Sequence, residues 1–300
     1  MTRYALFLGC TIPARQPNYE LSARKSLTKL GIELVDLPHM TCCAPPPLQS
    51  IDLETSLAVA AYNICLAEEA DLNLITLCSG CFESLSMANA TLKSDEQLRA
   101  KINRILSKAG KEFIGNKEVK HFIQVLMNDV GLERLKQSVS KPLTNLKVAA
   151  FYGCHALRPS ELLNFDDPEC PTILEKLIEI LGAKSVEYRN KLKCCGGLLR
   201  GYSDDLALDL TREKIANTTK AGVDCIATLC PFCFFALDLG QLQLKSKLNE
   251  TFYMPVFHYT ELLSLALGID PKELALKAHK VKTDKTISKI LDIKTLYADN

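Results

Sequence analysis

Thirteen cysteines in 300 residues, against five histidines and no tryptophan, are the residues from which chemistry must be argued. Ten of them fall into one pattern met twice. Cys10 is followed by the pair Cys42-Cys43 and then by Cys78-x-x-Cys81; Cys154 is followed by Cys194-Cys195 and then by Cys230-x-x-Cys233. The gap from pair to Cys-x-x-Cys is 34 residues in both halves, and the gap from first Cys to pair is 31 residues in one and 39 in the other. The flanks repeat as well: Ala5-Leu-Phe-Leu-Gly-Cys10 returns as Ala150-Phe-Tyr-Gly-Cys154, and Thr76-Leu-Cys78 as Thr228-Leu-Cys230. In a reducing cytosol thiols at this density are metal ligands or redox groups rather than structural disulfides. Five thiolates exceed what one four-coordinate zinc ion or a cubane cluster takes. Adjacent cysteines are awkward at a single tetrahedral ion and become sensible on a multi-iron cluster. The ferredoxin run C-x2-C-x2-C-x3-C-P is absent, so the chain carries no relay of that kind.

The elements that position these thiols read as α/β. Strands are expected at 4–9, 33–37, 72–77, 148–152, 185–188 and 225–229. Helices are expected at 20–30, 53–69, 171–181 and 204–220, with two more opening at Phe82 and Phe234 behind each Cys-x-x-Cys. Strands alternating with helices imply a parallel sheet covered on both faces. Ligands of such sheets sit beyond the carboxyl ends of the strands, and Cys10, Cys78, Cys154 and Cys230 all fall at such ends. The expected fold is α/β, two tandem repeated modules with parallel-type sheets related by pseudo-twofold symmetry. The modules are residues 1–146 and 147–300, joined through a polar, Pro142-containing linker at 140–147, and the second ends in a C-terminal helical tail. From Pro271 onward seven Lys stand against four acids, which reads as a solvated helix and tail.

The chain is too evenly charged for a nucleic-acid binder, with 36 Lys+Arg against 35 Asp+Glu and a formal charge of +1. No apolar run reaches the 18 or so residues a membrane span requires. The apolar part of the N-terminus is too short for a signal-peptide core, so the expected location is cytoplasmic. There is no G-x-G-x-x-G after a strand and no P-loop, hence no flavin or nucleotide is expected in this chain, and electrons must arrive from, or leave to, partner subunits.

The pattern C-x(31 or 39)-C-C-x(34)-C-x-x-C resembles the cysteine-rich CCG module, here in two copies. Further stretches resemble the B subunit of heterodisulfide reductase: Phe7-Leu-Gly-Cys-Thr-Ile-Pro-Ala-Arg15, Gly31-Ile-Glu-Leu-Val-Asp36, Phe165-Asp-Asp-Pro-Glu169, Cys230-Pro-Phe-Cys233 and Pro255-Val-Phe-His-Tyr-Thr-Glu-Leu-Leu263. The resemblance covers residues 1 to about 280. It implies a noncubane 4Fe-4S cluster held by Cys10, Cys42, Cys43, Cys78 and Cys81, and a second held by Cys154, Cys194, Cys195, Cys230 and Cys233. The two clusters would face one another and split a disulfide between them. The implied partners are a small ferredoxin-like 4Fe-4S subunit and a flavoprotein subunit. Two departures stand out. The first pair is followed by Ala44-Pro-Pro-Pro47 where the module's name expects Gly. The second is followed by Gly196-Gly197-Leu198-Leu199-Arg200, a loop where the methanogen subunits are richer in Gly, which puts their coenzyme substrates in question.

Splitting a disulfide takes two electrons, while an iron–sulfur cluster delivers them singly; two clusters answer that mismatch. His155, directly after Cys154, is the residue type that exchanges protons near neutrality. His39, three residues ahead of Cys42, is a weaker candidate, while His121, His258 and His279 read as structural or exposed. Arg15 and Arg200 lie just past cluster ligands and are candidate forks for anionic substrate groups. Outside the pattern, Cys65 and Cys225 read as core residues and Cys170 as a loop thiol with acidic neighbours. Two other functions share these residues. One is a sulfur-oxidation subunit acting on thiol or persulfide sulfur bound to a carrier protein. The other is a zinc-stapled scaffold, with zinc in one or both sets.

Overall fold

The computed structural model describes residues 2–291; the last part of the Lys-rich tail lies outside them. Two four-stranded parallel sheets have the same topology, β2-β1-β3-β4 and β6-β5-β7-β8. The strands are β1 Thr2–Phe7, β2 Ile32–Val35, β3 Asn73–Thr76, β4 Val119–His121, β5 Lys147–Phe151, β6 Lys184–Ser185, β7 Cys225–Thr228 and β8 Val256–His258. Register is continuous across each sheet: Tyr4 stands beside Leu34 and Asn73, and Thr76 beside His121. Phe151 stands beside Thr228, and Thr228 beside His258. Cys225, Ile226, Ala227 and Thr228 are buried without exception, as strands covered on both faces are. This is the doubly wound α/β arrangement expected from the sequence. In both sheets the strand order reverses between the first and third strands, β1/β3 and β5/β7, where such sheets place their ligands. Cys10 follows β1, Cys78 follows β3, Cys154 follows β5 and Cys230 follows β7.

The helices Leu53–Glu69 and Asp204–Lys220 run over the residues expected. Leu53–Glu69 starts where it does because the Asp52 carboxylate accepts from the Thr55 N–H at 3.0 Å. The helices behind each Cys-x-x-Cys start earlier than expected, at Ser79 and Pro231. β4 and β8 lie outside the expected strands: three residues are too few to show a strand period. Part of the tail is also packed rather than solvated. Leu274, His279, Val281 and Thr286 are buried, and Asp238 accepts the backbone N–H groups of Lys280 and Val281.

The compact units are not two uninterrupted stretches of chain. The first gathers residues up to Arg15, Leu27–Gly131 and His155–Pro168. The second gathers Gln16–Ser26, Leu132–Cys154 and the described residues from Glu169 onward. In each repeat the segment after the first Cys therefore belongs to the other repeat's unit. In the second unit Gln16 Nε2 donates to the Pro231 carbonyl at 2.8 Å and Asn18 Nδ2 to Glu261 Oε1 at 3.0 Å. In the first, Gln124 Nε2 donates to the Leu163 carbonyl at 3.3 Å.

Candidate metal centre

In each unit the thiols follow one another in the same order, through hydrogen bonds except at Cys10, which acts on Cys42 through its charge. In the first, Cys43 Sγ accepts from the thiols of Cys42 and Cys81, which hold its proton affinity down to about 4 against the opposing effect of burial. Cys42 is pushed up by donating to Cys43 and by burial, with the charge of Cys10 adding to this. Cys81 is pushed well up by its bonds to Cys43 and Cys78. In the second unit Cys195 and Cys233 sulfurs are 3.4 Å apart. Cys154 is pushed up first by its bond to Cys194, then by burial and the charges of Cys194, Cys195 and Cys230. Cys233 is pushed well up by Cys195 and Cys230. The orders 42–43–81–78 and 194–195–233–230 are the same, with Cys154 hydrogen-bonded to Cys194 and Cys10 acting on Cys42 through its charge.

Accessibility repeats too. Cys10 and Cys42 are exposed and Cys154 and Cys194 half-buried, whereas Cys43, Cys78, Cys81, Cys195, Cys230 and Cys233 are buried. Each set has a closed floor and an open edge formed by its first Cys and the first member of its pair. Cys78 and Cys230 are the residues that cap the helices Ser79–Ser94 and Pro231–Leu248, with Cys81 and Cys233 in their first turns. The backbone N–H groups and the dipole there favour negative charge. In the second set Gly196 N–H and Gly197 N–H donate to Cys194 and Cys195 sulfur, both at 3.3 Å.

The Cys-Cys turn explains the first departure from the motif. Gly196 has φ +83°, and a Cβ on it would stand 2.5 Å from the Ala207 carbonyl oxygen. Ala44 makes the same left-handed turn with φ 56°, and its N–H likewise bonds the first thiol of its pair, Cys42. Gly9, φ +66°, lets the Cys10 loop lie against Cys81, whose sulfur would be 3.0 Å from a Cβ there.

These residues fit an iron–sulfur group: soft thiolate donors, five to a set, neighbouring one another in series, over helix N-termini and backbone N–H donors. Among the described residues no three His, Cys, Asp or Glu side chains are gathered around one point as ligands of a single ion are. The sulfurs line a chain of contacts instead.

The remaining candidates lie as follows. His155 is counted in the first unit, its Nδ1 3.9 Å from the carboxylate of buried Glu83. Arg15 is exposed at the end of the helix Thr11–Arg15. Arg200 is turned onto the helix Pro231–Leu248: it donates to Gln243 Oε1 and, at 3.3 Å, to the Ala236 carbonyl, 5.8 Å over the Phe235 ring. Its Nε is buried without a partner. His39 is exposed, with φ 68°. Cys65 and Cys225 are buried, their thiols pushed up by burial, Cys65 to about 12. Cys170 is exposed.

Sequence reasoning missed Asn63 and Lys214, which hold the loops of the two pairs, and left open whether His121 and His258 are structural or exposed. Asn63 accepts from Thr41 N–H at 2.7 Å and donates to the Cys42 carbonyl at 3.0 Å, tying the first pair to the helix Leu53–Glu69. Lys214, 2% exposed, donates to the carbonyls of Asn190 and Lys191 ahead of the second pair. His121 packs between Phe82 and Phe165, and His258 between Phe234 and Tyr19, the latter at 3.6 Å with rings 9° from parallel. Both histidines are fully buried. Burial, and then the charge of His279, hold His258 well below the ordinary imidazole range and hence neutral. A matching signal was present: Thr-x-Cys-x-x-Cys-Phe, and farther on His followed by an aromatic, occurs in both halves.

Comparison with known proteins agrees with the duplication. A family profile described as a cysteine-rich CCG domain matches residues 4–86 and again 148–238. The chain is 41% identical, over 98% of both chains, to the B subunit of the ferredoxin:CoB-CoM heterodisulfide reductase of Methanosarcina mazei. It is 37% identical to a protein of Archaeoglobus profundus described as like the B subunit of heterodisulfide reductase, over 92% of this chain and 94% of that one. It is 35% identical, over 94% and 98%, to the 8-methylmenaquinol:fumarate reductase membrane anchor subunit of Wolinella succinogenes. Among the described residues no helix is long and apolar enough to cross a membrane. A solved structure of a hypothetical protein from Helicobacter pylori shares the fold, with TM-score 0.74 at 16% identity over 94% of this chain and 52% of that one.

Proposed function

The chain belongs to the tandem CCG cysteine-rich family that includes heterodisulfide reductase B subunits, and from that premise we propose that it is the iron–sulfur catalytic subunit of a heterodisulfide-reductase-like complex. It acts on a disulfide or the corresponding thiols, with electrons exchanged through partner subunits. The observation that carries this reading is the four-thiol series of contacts built twice in one order, with a fifth thiol next to the first member of each pair in sequence order and acting on it by hydrogen bond (Cys154) or charge (Cys10). Cys10, Cys42, Cys43, Cys78 and Cys81 would hold one noncubane 4Fe-4S cluster; Cys154, Cys194, Cys195, Cys230 and Cys233 the other. When bound, these groups supply single electrons and iron sites able to take a thiolate sulfur.

The chain's own residues do the rest. The open edges at Cys10/Cys42 and Cys154/Cys194 admit a sulfur substrate, while the buried cysteines keep the floor of each set from water. Gly196 and Gly197 N–H groups spread the charge of the second pair. Reduction follows R–S–S–R + 2e⁻ + 2H⁺ → 2 RSH. His155, with Glu83 facing its Nδ1, is the group that holds a proton for a leaving thiolate. Arg15 is the candidate for an anionic substrate group. Arg200, held by Gln243 and Ala236, serves the second set through its charge.

Iron, acid-labile sulfide and zinc per anaerobically purified chain test the reading. About eight iron and eight sulfide are expected; about four iron with zinc would overturn it, since one set would then be structural. The relative named as a quinol:fumarate reductase subunit favours a second reading, in which the same sets only pass electrons. Turnover of a heterodisulfide by the loaded chain with a one-electron viologen donor separates the two: a pure relay reduces none.

A further inference from the structure

We propose that Lys214 and Arg200 make the C-terminal thiol set the first electron acceptor of the chain, the N-terminal set being harder to reduce. This rests on the function proposed above. The two sets match in sulfur arrangement and differ in the charges around them. Lys214, on the helix Asp204–Lys220, is 2% exposed. Its ammonium meets two backbone carbonyls, at 2.5 and 2.9 Å, and the ring faces of Phe151 and Tyr188, at 4.5 and 5.5 Å. Among the described residues no carboxylate lies at ion-pair distance from it. A cation this deep in the protein, without a carboxylate, is costly unless another anion compensates it. The negative groups that act on it are first the thiolates of Cys195 and Cys233, then the Glu213 carboxylate, itself paired with Lys193, and then Cys194. Burial lowers its proton affinity to about 8, the thiolates opposing, so the charge persists at neutral pH. Arg200 adds a second positive charge, acting first on Asp204 and then on Cys195.

The N-terminal set has neither. Asn63, on the helix after its pair, takes the place of Lys214 in tying down the loop ahead of the pair. Leu48 stands five residues past Cys43, as Arg200 stands five past Cys195. Two residues past the Cys-x-x-Cys, Glu83 stands where the other repeat has Phe235. Glu83 is 4% exposed and acts on Cys43. Ionised or protonated, it brings no positive charge. All three differences have one sign or none. An added electron makes a thiolate-held group more negative, and a buried cation beside it favours that change more than a neutral amide does. The first electron from a one-electron donor therefore settles on the C-terminal set and the second on the N-terminal set. The disulfide then consumes both with two protons.

Reductive titration of the anaerobic, cluster-loaded full chain tests this through midpoint potentials rather than turnover. The wild type is expected to reduce in two resolved steps. Lys214→Met should lower the upper step by a factor of ten or more in the reduction equilibrium, about 59 mV for a one-electron couple, and leave the lower step in place. Lys214→Arg should restore it. Glu83→Gln should raise or leave the lower step and not move the upper, and it carries the test if Lys214→Met fails to fold. An upper step unmoved by Lys214→Met, or moved by Glu83→Gln, overturns the proposal while the catalytic reading stands. A wild-type chain that binds no reducible cluster overturns both.

Discussion

At Gly196 the backbone turns left-handed, φ +83°, with the Ala207 carbonyl oxygen 2.5 Å from where a Cβ would stand. At Ala44 the same turn is made with a Cβ in place, φ 56°, at the strain such a conformation carries for an L-residue. The two positions therefore respond oppositely to exchange. Gly196→Ala should destabilise by about 2 kcal/mol or more, from left-handed strain plus the clash. Ala44→Gly should be neutral to stabilising by up to about 1 kcal/mol, the strain it relieves offset by the freer unfolded chain. Urea unfolding of the anaerobic protein checks both, and a Gly196→Ala chain as stable as wild type would remove the clash from the account. The missing glycine of the first pair is thus a tolerated substitution in an unchanged turn, and the thiol contacts around Cys42 and Cys43 show the turn intact.

Elements hold the thiols through side chains that a sequence shows poorly. Asn63 is fully buried and joins the helix Leu53–Glu69 to Thr41 N–H and the Cys42 carbonyl. Removing it hands both part-buried groups to water and loses two hydrogen bonds, each worth roughly 0.5–1.5 kcal/mol net. Asn63→Ala is therefore expected to lower stability by about 2 kcal/mol and to speed chelator release of about half the iron, that of the N-terminal set. Uniform release from both sets would count against this tie. The helix itself was legible from the apolar spacing of Leu53, Leu57, Val59, Ala60 and Ile64, of which Leu57, Ala60 and Ile64 are buried and Leu53 is exposed. Its partner Asp204–Lys220 was legible for the same reason, yet Lys214 inside it reads like any solvent-facing lysine of a charged helix. Nothing local in Arg-Glu-Lys-Ile says that the third residue turns inward onto Phe151 and Tyr188. Likewise β4 and β8 are too short to carry a period, so the histidines at their ends, His121 edge-on to Phe82 and His258 stacked on Phe234, could be found only by aligning the two halves.

On the scale of the whole molecule the duplication was legible from cysteine spacing alone, because metal ligands must be kept in number and order while the chain between them drifts. The make-up of the compact units was not, since Gln16–Ser26 and His155–Pro168 each belong to the unit of the other repeat, and only tertiary contacts reveal such an exchange. For the proposed function the expected consequence is that loading is local and turnover is joint. Each set is assembled within one unit, on its own sheet and its own helix N-terminus, so damage to one leaves the ligands of the other in place. Cys78→Ser and Cys230→Ser should each bring iron from about eight to about four per chain, with the spectroscopic signal of the untouched set retained. Two-electron disulfide turnover should fall to background in both, because one set delivers electrons one at a time and leaves the second sulfur without a partner. Iron analysis, low-temperature electron paramagnetic resonance and the viologen-linked disulfide assay on the same preparations decide it. Retained iron in one set with full turnover would mean that a single set suffices, and the reason offered for the duplication would fall.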